Sequence, residues 1–534
     1  MTDRAEREGV SRRTGSRARN SFLVAVGILC SRLTGLVRQR AIAHYFGLEL
    51  EADAWAAAFR IPNFLQNLFG EGALSASFIP VYARFVAHGE RREADRVAGA
   101  VASLLALVVS AIVLVGVFAT PLLIDAIAPG FTGEKRVLTI QLVRILFPSA
   151  GMLVMCAWCL GVLNSHHKFL LSYAAPVIWN AAMIATLLVF GGGTALPRLA
   201  VYLGWGTVAG SVLQFAVQLP AVFAVAPDLR FAIDVASEHV RIVVRNFVPV
   251  FVSRGVVQVS AYIDQLIASF LPTGAPAAMA NALLLATLPV SLFGMSVSAA
   301  ELPAMSGVAT PDASGHEALR RRLDVGLRQI AFFVVPSAMA FLALGDVIAG
   351  AVLQNGRFGR ADSVYVWRIL GGSAIGLLAS TLGRLYASTY YALRDTRTPL
   401  NFAIVRVALT TVLGYAFALP LPRALGIDPL WGAAGLTASA GIAGWVEMLL
   451  LRATLNRRIG RSGLPADYVV KLWSAAIAGA AAGWAVKIAV PAARHPLLGA
   501  VAILGAYGVV FLAMTFALRV PEASGALMRL RRRP

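Results

Sequence analysis

The residues best suited to chemistry in this chain are ionisable side chains set inside apolar segments. Arg32, Arg38 and Arg40 fall within residues 21–46, and Asp53, Arg60 and Glu71 within 53–83. Arg254 and Asp264 fall within 243–271, Glu301 within 277–308 and Arg384 within 364–392. A charge at mid-bilayer costs about 2.5–3.5 kcal/mol on insertion scales, so each needs a partner or a wet cavity. Guanidinium groups suit an anion, phosphate above all, because the planar fork donates two bonds and stays charged when desolvated. Gly35, between Arg32 and Arg38, is a place for the helix to bend and open the arginines to a cavity. The acids Asp53, Glu71, Asp264 and Glu301 would hold the arginines in an empty site, or couple to a proton or cation. A structural reading stays open beside this one: ion pairs between helices, or arginines snorkelling to the interface, which suits Arg40 and Arg60.

Other polar residues carry less. His166-His167-Lys168 has no acidic neighbours and reads as a solvated loop. Asn63 and Asn180, near prolines, read as partners for freed backbone groups. Cys156-Ala-Trp-Cys159 lies in an apolar run without a second ligand pair, so it reads as small residues at a helix contact. No metal and no cofactor are expected. A membrane glycosyltransferase or phosphatase would gather acids or histidines near the headgroup plane. This chain does not, so it reads as no enzyme.

The elements that must position these residues are membrane helices. Of 534 residues, 58% are hydrophobic and 14% charged. A soluble protein carries roughly 25% charged residues. Apolar runs of about 20 residues recur, the length needed to cross a hydrocarbon core. The pattern predicts an all-α integral membrane protein with about fourteen spans. They fall near residues 21–46, 53–83, 98–128, 138–163, 170–191, 199–225, 243–271, 277–308, 326–353, 364–392, 400–420, 431–452, 469–490 and 497–518. The net charge of +20 concentrates in alternate loops, which places both termini in the cytoplasm. One loop pair breaks the alternation: Lys135 and Arg136 on one side, Lys168 on the other. The basic residues form no single stripe, so a nucleic-acid partner is not expected.

An internal repeat organises the spans. Ser31-Arg32, Phe46, Pro62 and Pro80 recur in order as Ser253-Arg254, Phe270, Pro289 and Pro303, offset by roughly 220–230 residues. Leu68–Gly70 recurs at Leu292–Gly294. The copies are six spans apart and share an orientation, so the reading is two six-helix lobes in a parallel pseudo-repeat. The organisation is then a basic tail (1–20), an N-lobe (21–226), a C-lobe (240–455), two extra spans (466–520) and a second basic tail (521–534). Arg32 and Arg254 occupy equivalent positions and would face one another across a central cavity.

The residues also carry a family resemblance. Ser31-Arg32-Leu-Thr-Gly35-Leu-Val-Arg38, Ala52-Asp53-Ala54, Phe59-Arg60-Ile-Pro62-Asn63, Phe69-Gly-Glu71-Gly72 and Phe78-Ile-Pro80 resemble the N-terminal signature of the MurJ (MviN) lipid II flippases. Arg144-Ile-Leu-Phe147-Pro148, Gly161-Val-Leu-Asn164 and Tyr391-Ala-Leu-Arg394-Asp395-Thr396-Arg397-Thr398-Pro399 extend it along the chain. The resemblance implies a MATE-like flippase fold and movement of lipid II, an undecaprenyl-diphosphate-linked disaccharide-pentapeptide, across the bacterial inner membrane. It implies that Arg32 and Arg38 bind substrate; Arg254, by its position in the repeat, is a third candidate. It also implies that the last two spans form a groove for the lipid tail. Cell-wall synthesis machinery is an implied partner. The driving force stays open between membrane potential, proton and sodium. Two departures stand out. Gln66 and Asn67 replace an arginine pair, and Leu283, Leu284 and Thr287 replace a charged set in span 8. Arg254 is a candidate to restore one missing cation. A flippase for another polyprenyl-diphosphate oligosaccharide is the alternative, and a MATE-type small-molecule exporter is a further one.

Overall fold

The structure, a computed structural model, describes residues 26–234, 236–310, 312–489 and 496–523; the side chains of 71, 253, 256, 257 and 259–261 also lie outside the described residues. The basic tails read at 1–20 and 521–534 therefore fall outside the description, apart from residues 521–523. Among the described residues the chain is helical, with one isolated bridge between Asn355 and Phe358. Contacts divide it into two compact units, residues 1–266 and 267–534.

The first unit holds α1 (26–46), α2 (Leu50–Phe69), α3 (Glu71–Ser77), α4 (Ile79–His88), α5 (Arg91–Ile127), α6 (Gly133–Ser165), α7 (Phe169–Ala174), α8 (Pro176–Phe190), α9 (Leu196–Val225) and most of α10 (Glu238–Ser269). The organising element is α6, which packs against α2, α5 and α9. Trp158 on its buried face is fully enclosed, and its indole N–H donates to the Ala98 carbonyl of α5 at 3.2 Å.

The expected span 53–83 is not one helix. It stops at Gly70 and breaks again at Phe78, giving α2, α3 and α4. The segment α1 is helix through Gly35.

The second unit holds α11 (Ala275–Pro289), a π-helical turn (Val290–Met295), α12 (Ser296–Ser306), α13 (Ala313–Leu353), α14 (Arg360–Ala392), α15 (Arg397–Ala418), α16 (Pro420–Ala424), α17 (Trp431–Ile459), α18 (Ala466–Ala489) and α19 (Pro496–Ala517). In lipid, helices associate by close packing over small residues. At the α14–α17 crossing, a Cβ on Gly376 would strike the Gly441 backbone, so the two chains touch directly. The two extra spans dock on α13. That helix is kinked at Leu344 (φ −130°, ψ 20°). Near the kink, the Leu342 carbonyl accepts from Trp367 Nε1 at 3.0 Å and the Ala343 carbonyl from Trp484 Nε1 at 2.9 Å. Backbone groups loosened inside a membrane must find such donors. Lys487 of α18 adds an ion pair to Asp346 at 2.7 Å.

Eleven helices among the described residues are long and apolar enough to cross a membrane. The three expected spans outside that set are 21–46, which is described only from residue 26, 53–83 and 243–271. They are the ones richest in the charges singled out above.

Two sequence features gain a structural account. The cations that break the loop alternation are each neutralised: Lys135 pairs with Asp53 at 2.8 Å and Arg136 with Asp125 at 2.7 Å. The Asp395 motif is a helix start. The Asp395 carboxylate accepts from the backbone N–H groups of Arg397 and Thr398, the Thr398 hydroxyl and Arg458. The Thr398 backbone bond comes first among the causes that hold its pKa down at about 2.

Candidate substrate site

Arg32 lies on α1 with an exposed side chain, and it lines a cavity of about 380 Å³ inside the first unit. No hydrogen bond or ion pair joins it to another described residue. The cavity is walled by α1 (Ser31, Arg32), the end of α2 (Gln66), α6 (Cys156, Ala157, Leu160), α7 (Ser172, Tyr173) and α9 (Gln214, Gln218). It is therefore part cationic, part amide and part apolar. Burying polar groups in lipid is tolerated where they line such a cavity.

Arg38, two turns further on, is built in differently. Its Nη1 donates to Asn180 Oδ1 at 3.0 Å. Its guanidinium carbon sits 5.1 Å from the Phe59 ring centre and 5.5 Å from that of Trp179. Those two rings stack on each other at 5.6 Å. Cation–π contacts strengthen as water is excluded, so this box holds a guanidinium without a carboxylate. Asn180 also donates to the Pro176 carbonyl at 3.1 Å, the backbone role expected of it, while bridging to Arg38.

Arg254 lies against the break between α2 and α3. Its Nη1 donates to the Asn67 carbonyl at 3.1 Å. A helix end leaves carbonyls unpaired and partly negative, so a cation there is stabilising. Gly72 makes room: a Cβ at that position would overlap the Arg254 guanidinium. Gln66 and Asn67 are the positions where the resemblance implies arginines. The Gln66 side chain lines the Arg32 cavity, and the Asn67 carbonyl receives Arg254. Two guanidinium groups thus serve the same end of α2, although neither residue there is basic.

The acids are placed as partners. Asp53 is fully buried and bound to Lys135, which sits 5.0 Å from the Phe131 ring centre. Asp264 and Tyr262 of α10 interact electrostatically with Arg60. Glu301 pairs with Arg322 at 3.5 Å in the second unit. Glu71 opens α3, and its side chain lies outside the described residues. Arg384 interacts with Glu447, which also pairs with Arg406 at 3.2 Å.

Sequence reasoning missed two cavity residues, Gln214 and Gln218. The signal was present: two glutamines four residues apart in a helix of 30 residues whose one charged residue, Arg198, lies at its start. It also misread His166. The residue is half-buried at the end of α6, and its Nε2 lies 2.9 Å from the Tyr82 hydroxyl. His167 and Lys168 are exposed, as expected of a solvated loop. The cysteines are free, with Cys156 and Cys159 buried. No cluster of metal-binding type occurs among the described residues.

The fold defines a class, polytopic helical membrane proteins built from two multi-helix units. The structure of a lipid II flippase MurJ in an inward closed conformation superposes with a TM-score of 0.75 at 23% identity, covering 93% of this chain and 99% of that one. An inward-facing multidrug resistance MATE transporter of the MOP superfamily superposes with a TM-score of 0.65 at 17% identity, covering 80% and 96%. Sequence narrows the class. The family model described as lipid II flippase MurJ matches residues 42–517. The lipid II flippase MurJ of Burkholderia cenocepacia is 33% identical over 436 residues, covering 80% of this chain and 82% of that protein. The chain belongs to the lipid II flippase MurJ family.

Proposed function

We propose that this protein moves lipid II from the inner to the outer leaflet of the bacterial cytoplasmic membrane by alternating access. The polyprenyl tail stays in lipid, and the diphosphate headgroup crosses beside the arginines. No bond is made or broken, so the protein acts as a transporter and not as an enzyme. Family membership supports the substrate. The observation on this chain that carries the reading is Arg32: an exposed guanidinium beside a polar cavity inside an apolar helix. Such a charge is costly to keep in a membrane without a counter-anion, and a diphosphate supplies one. Arg38 and Arg254 lie nearby in sequence role: the first fixed by an aromatic box, the second at the end of α2 where family members carry arginines.

In this reading both termini are cytoplasmic, and α18 and α19, docked on α13, form the groove for the tail. Coupling acts through the membrane potential, or through a proton or sodium ion at Asp264 or Glu301. Collapsing each gradient in turn separates the three.

The test uses a Gram-negative host depleted of its own flippase. The chain and its Arg32→Ala variant are expressed, and a lipid II-cleaving toxin is added from outside. Cleavage restored by the wild type and not by the variant is the expected result. A well-expressed wild type that restores nothing would overturn the lipid II reading. It would favour a different polyprenyl-diphosphate oligosaccharide, with the neutral Leu283, Leu284 and Thr287 as the reason to look there.

A further inference from the structure

The cavity beside Arg32 is lined also by polar groups that carry no charge. Gln214 and Gln218 stand one turn apart on α9 and share a face. They are 4% and 1% exposed, and both line the cavity. The Oε1 of each has no hydrogen-bond partner. An unpaired buried carbonyl oxygen is unfavourable, and two on one helix face are satisfied together by a ligand that brings donors. A glutamine amide offers a carbonyl and an NH₂ group and no charge. It matches hydroxyl and amide groups and gives a phosphate no counter-charge. Ser31, Ser172 and Gln66 add polar wall, while Cys156 and Ala157 of α6 supply an apolar one. The volume of about 380 Å³ falls in the range of roughly 300–1,000 Å³ usual for small-molecule sites.

We propose that this cavity is a headgroup subsite. It receives an uncharged, hydroxyl- and amide-bearing portion of the transported lipid, such as an N-acetylated sugar or a peptide segment, while the anionic portion stays at Arg32. The proposal rests on the flippase reading and adds a function to it: discrimination of a loaded polyprenyl diphosphate from a bare one. Sites built to hydrogen-bond a group reject ligands that lack it, because their own buried polar atoms are then left unpaired.

The test measures binding of three probes to the purified full chain in nanodiscs: undecaprenyl diphosphate, the same lipid bearing one N-acetylated sugar, and lipid II. Two variants are compared with wild type. Gln214→Leu/Gln218→Leu removes the amides, and Ala157→Phe fills the cavity from its apolar wall. The wild type is expected to bind lipid II at least about tenfold more tightly than undecaprenyl diphosphate, the worth of two neutral hydrogen bonds. Both variants lose that preference while holding undecaprenyl diphosphate within about twofold, which also shows that they fold. A loss already complete with the sugar-bearing probe assigns the subsite to the sugar; a loss confined to lipid II assigns it to the peptide. Variants that bind lipid II as the wild type does, or that lose all three probes equally, overturn the subsite and leave the flippase reading standing. A wild type that binds the three probes alike overturns the subsite alone, and one that binds none of them overturns the flippase reading as well.

Discussion

Leu68–Gly70 and Leu292–Gly294 are the same landmark in the two halves of the chain, and regular α-helix fails at both, by different routes. In the first half α2 stops. Gly70 takes an extended ψ of −153°, and α3 starts afresh. A Cβ on Gly70 would strike the Gln66 carbonyl, so only glycine makes this stop. In the second half the helix widens into the π turn Val290–Met295 and carries on as α12. There Gly294 is pressed against the Thr381 side chain of α14. A stopped helix leaves its last carbonyls unpaired, whereas a π turn keeps its backbone paired at longer spacing. The stop therefore recruits polar partners: Arg254 takes the Asn67 carbonyl, and Gln66 faces the cavity. The π turn is preceded by Leu283, Leu284 and Thr287, and its carbonyls are met by its own neighbouring hydroxyl, Ser296 donating to Leu292 and Phe293, and by no guanidinium among the described residues. One landmark is thus a helix stop met by a guanidinium in the first half and a locally capped packing joint in the second.

The largest expected effect tests how the first copy is anchored. α2 is held near its start by the buried Asp53–Lys135 pair, where α11 buries Ala277, Ala278 and Ala282. Removing one partner of a buried pair leaves the other charge uncompensated, a cost of about 3–5 kcal/mol. Asp53→Ala should therefore lower the thermal unfolding temperature in detergent markedly. Asp53→Ala/Lys135→Met should recover most of the loss; no recovery would mean that Asp53 acts through something other than the pair.

The next effect is smaller and compares the two glycines directly. Gly70→Ala meets backbone, and Gly294→Ala meets the methyl of the Thr381 side chain. Overpacking costs about 1–3 kcal/mol, and Gly70→Ala should lie at the upper end of that range and Gly294→Ala at the lower. Equal losses in the same unfolding assay would show that the stop is no more demanding than the π turn.

The helical architecture was legible because lipid enforces it: apolar runs of spanning length can only be helices. The arginines were legible as candidates because charge in such runs is conspicuous. Their partners were not. That Lys135 reaches Asp53, 82 positions away, or that Arg254 reaches Asn67, is decided by packing between segments, which no spacing encodes. Gly70 illustrates the same limit. It reads as one more small residue in a span, yet its ψ and the nearness of the Gln66 carbonyl make it a terminator. Gln214 and Gln218 were overlooked because they are uncharged, and charge was the signal followed.

Gly72 allows the binding role of the stop to be probed without touching a charge. A methyl there overlaps only the far end of the Arg254 side chain, which can move. Gly72→Ala should displace Arg254 from the Asn67 carbonyl at a cost of about 1 kcal/mol, that of one hydrogen bond. If Arg254 serves transport, Gly72→Ala and Arg254→Ala should slow lipid II exposure alike, and their combination should be no worse than either. Additive losses would separate the two residues.

The smallest effect extends the comparison to the loops. Asp395, ahead of α15, is held charged down to about pH 2 by its hydrogen bonds and Arg458. His166, at the end of α6, has its pKa lowered from 6.5, chiefly by burial, with Arg91 and His167 adding. A histidine depressed in the folded state contributes stability that is present above about pH 6.5 and is lost as pH falls through its lowered value. A neutral ring can accept the Tyr82 hydroxyl at Nε2, and a protonated ring cannot. Lowering pH from about 7.5 to about 5.5, a window that spans the ordinary histidine pKa and not that of Asp395, should raise hydrogen exchange around 162–168. Exchange around 393–398 should stay unchanged after correction for the intrinsic rate. His166→Asn should abolish the response; a response that persists would place the titrating group elsewhere in the first unit.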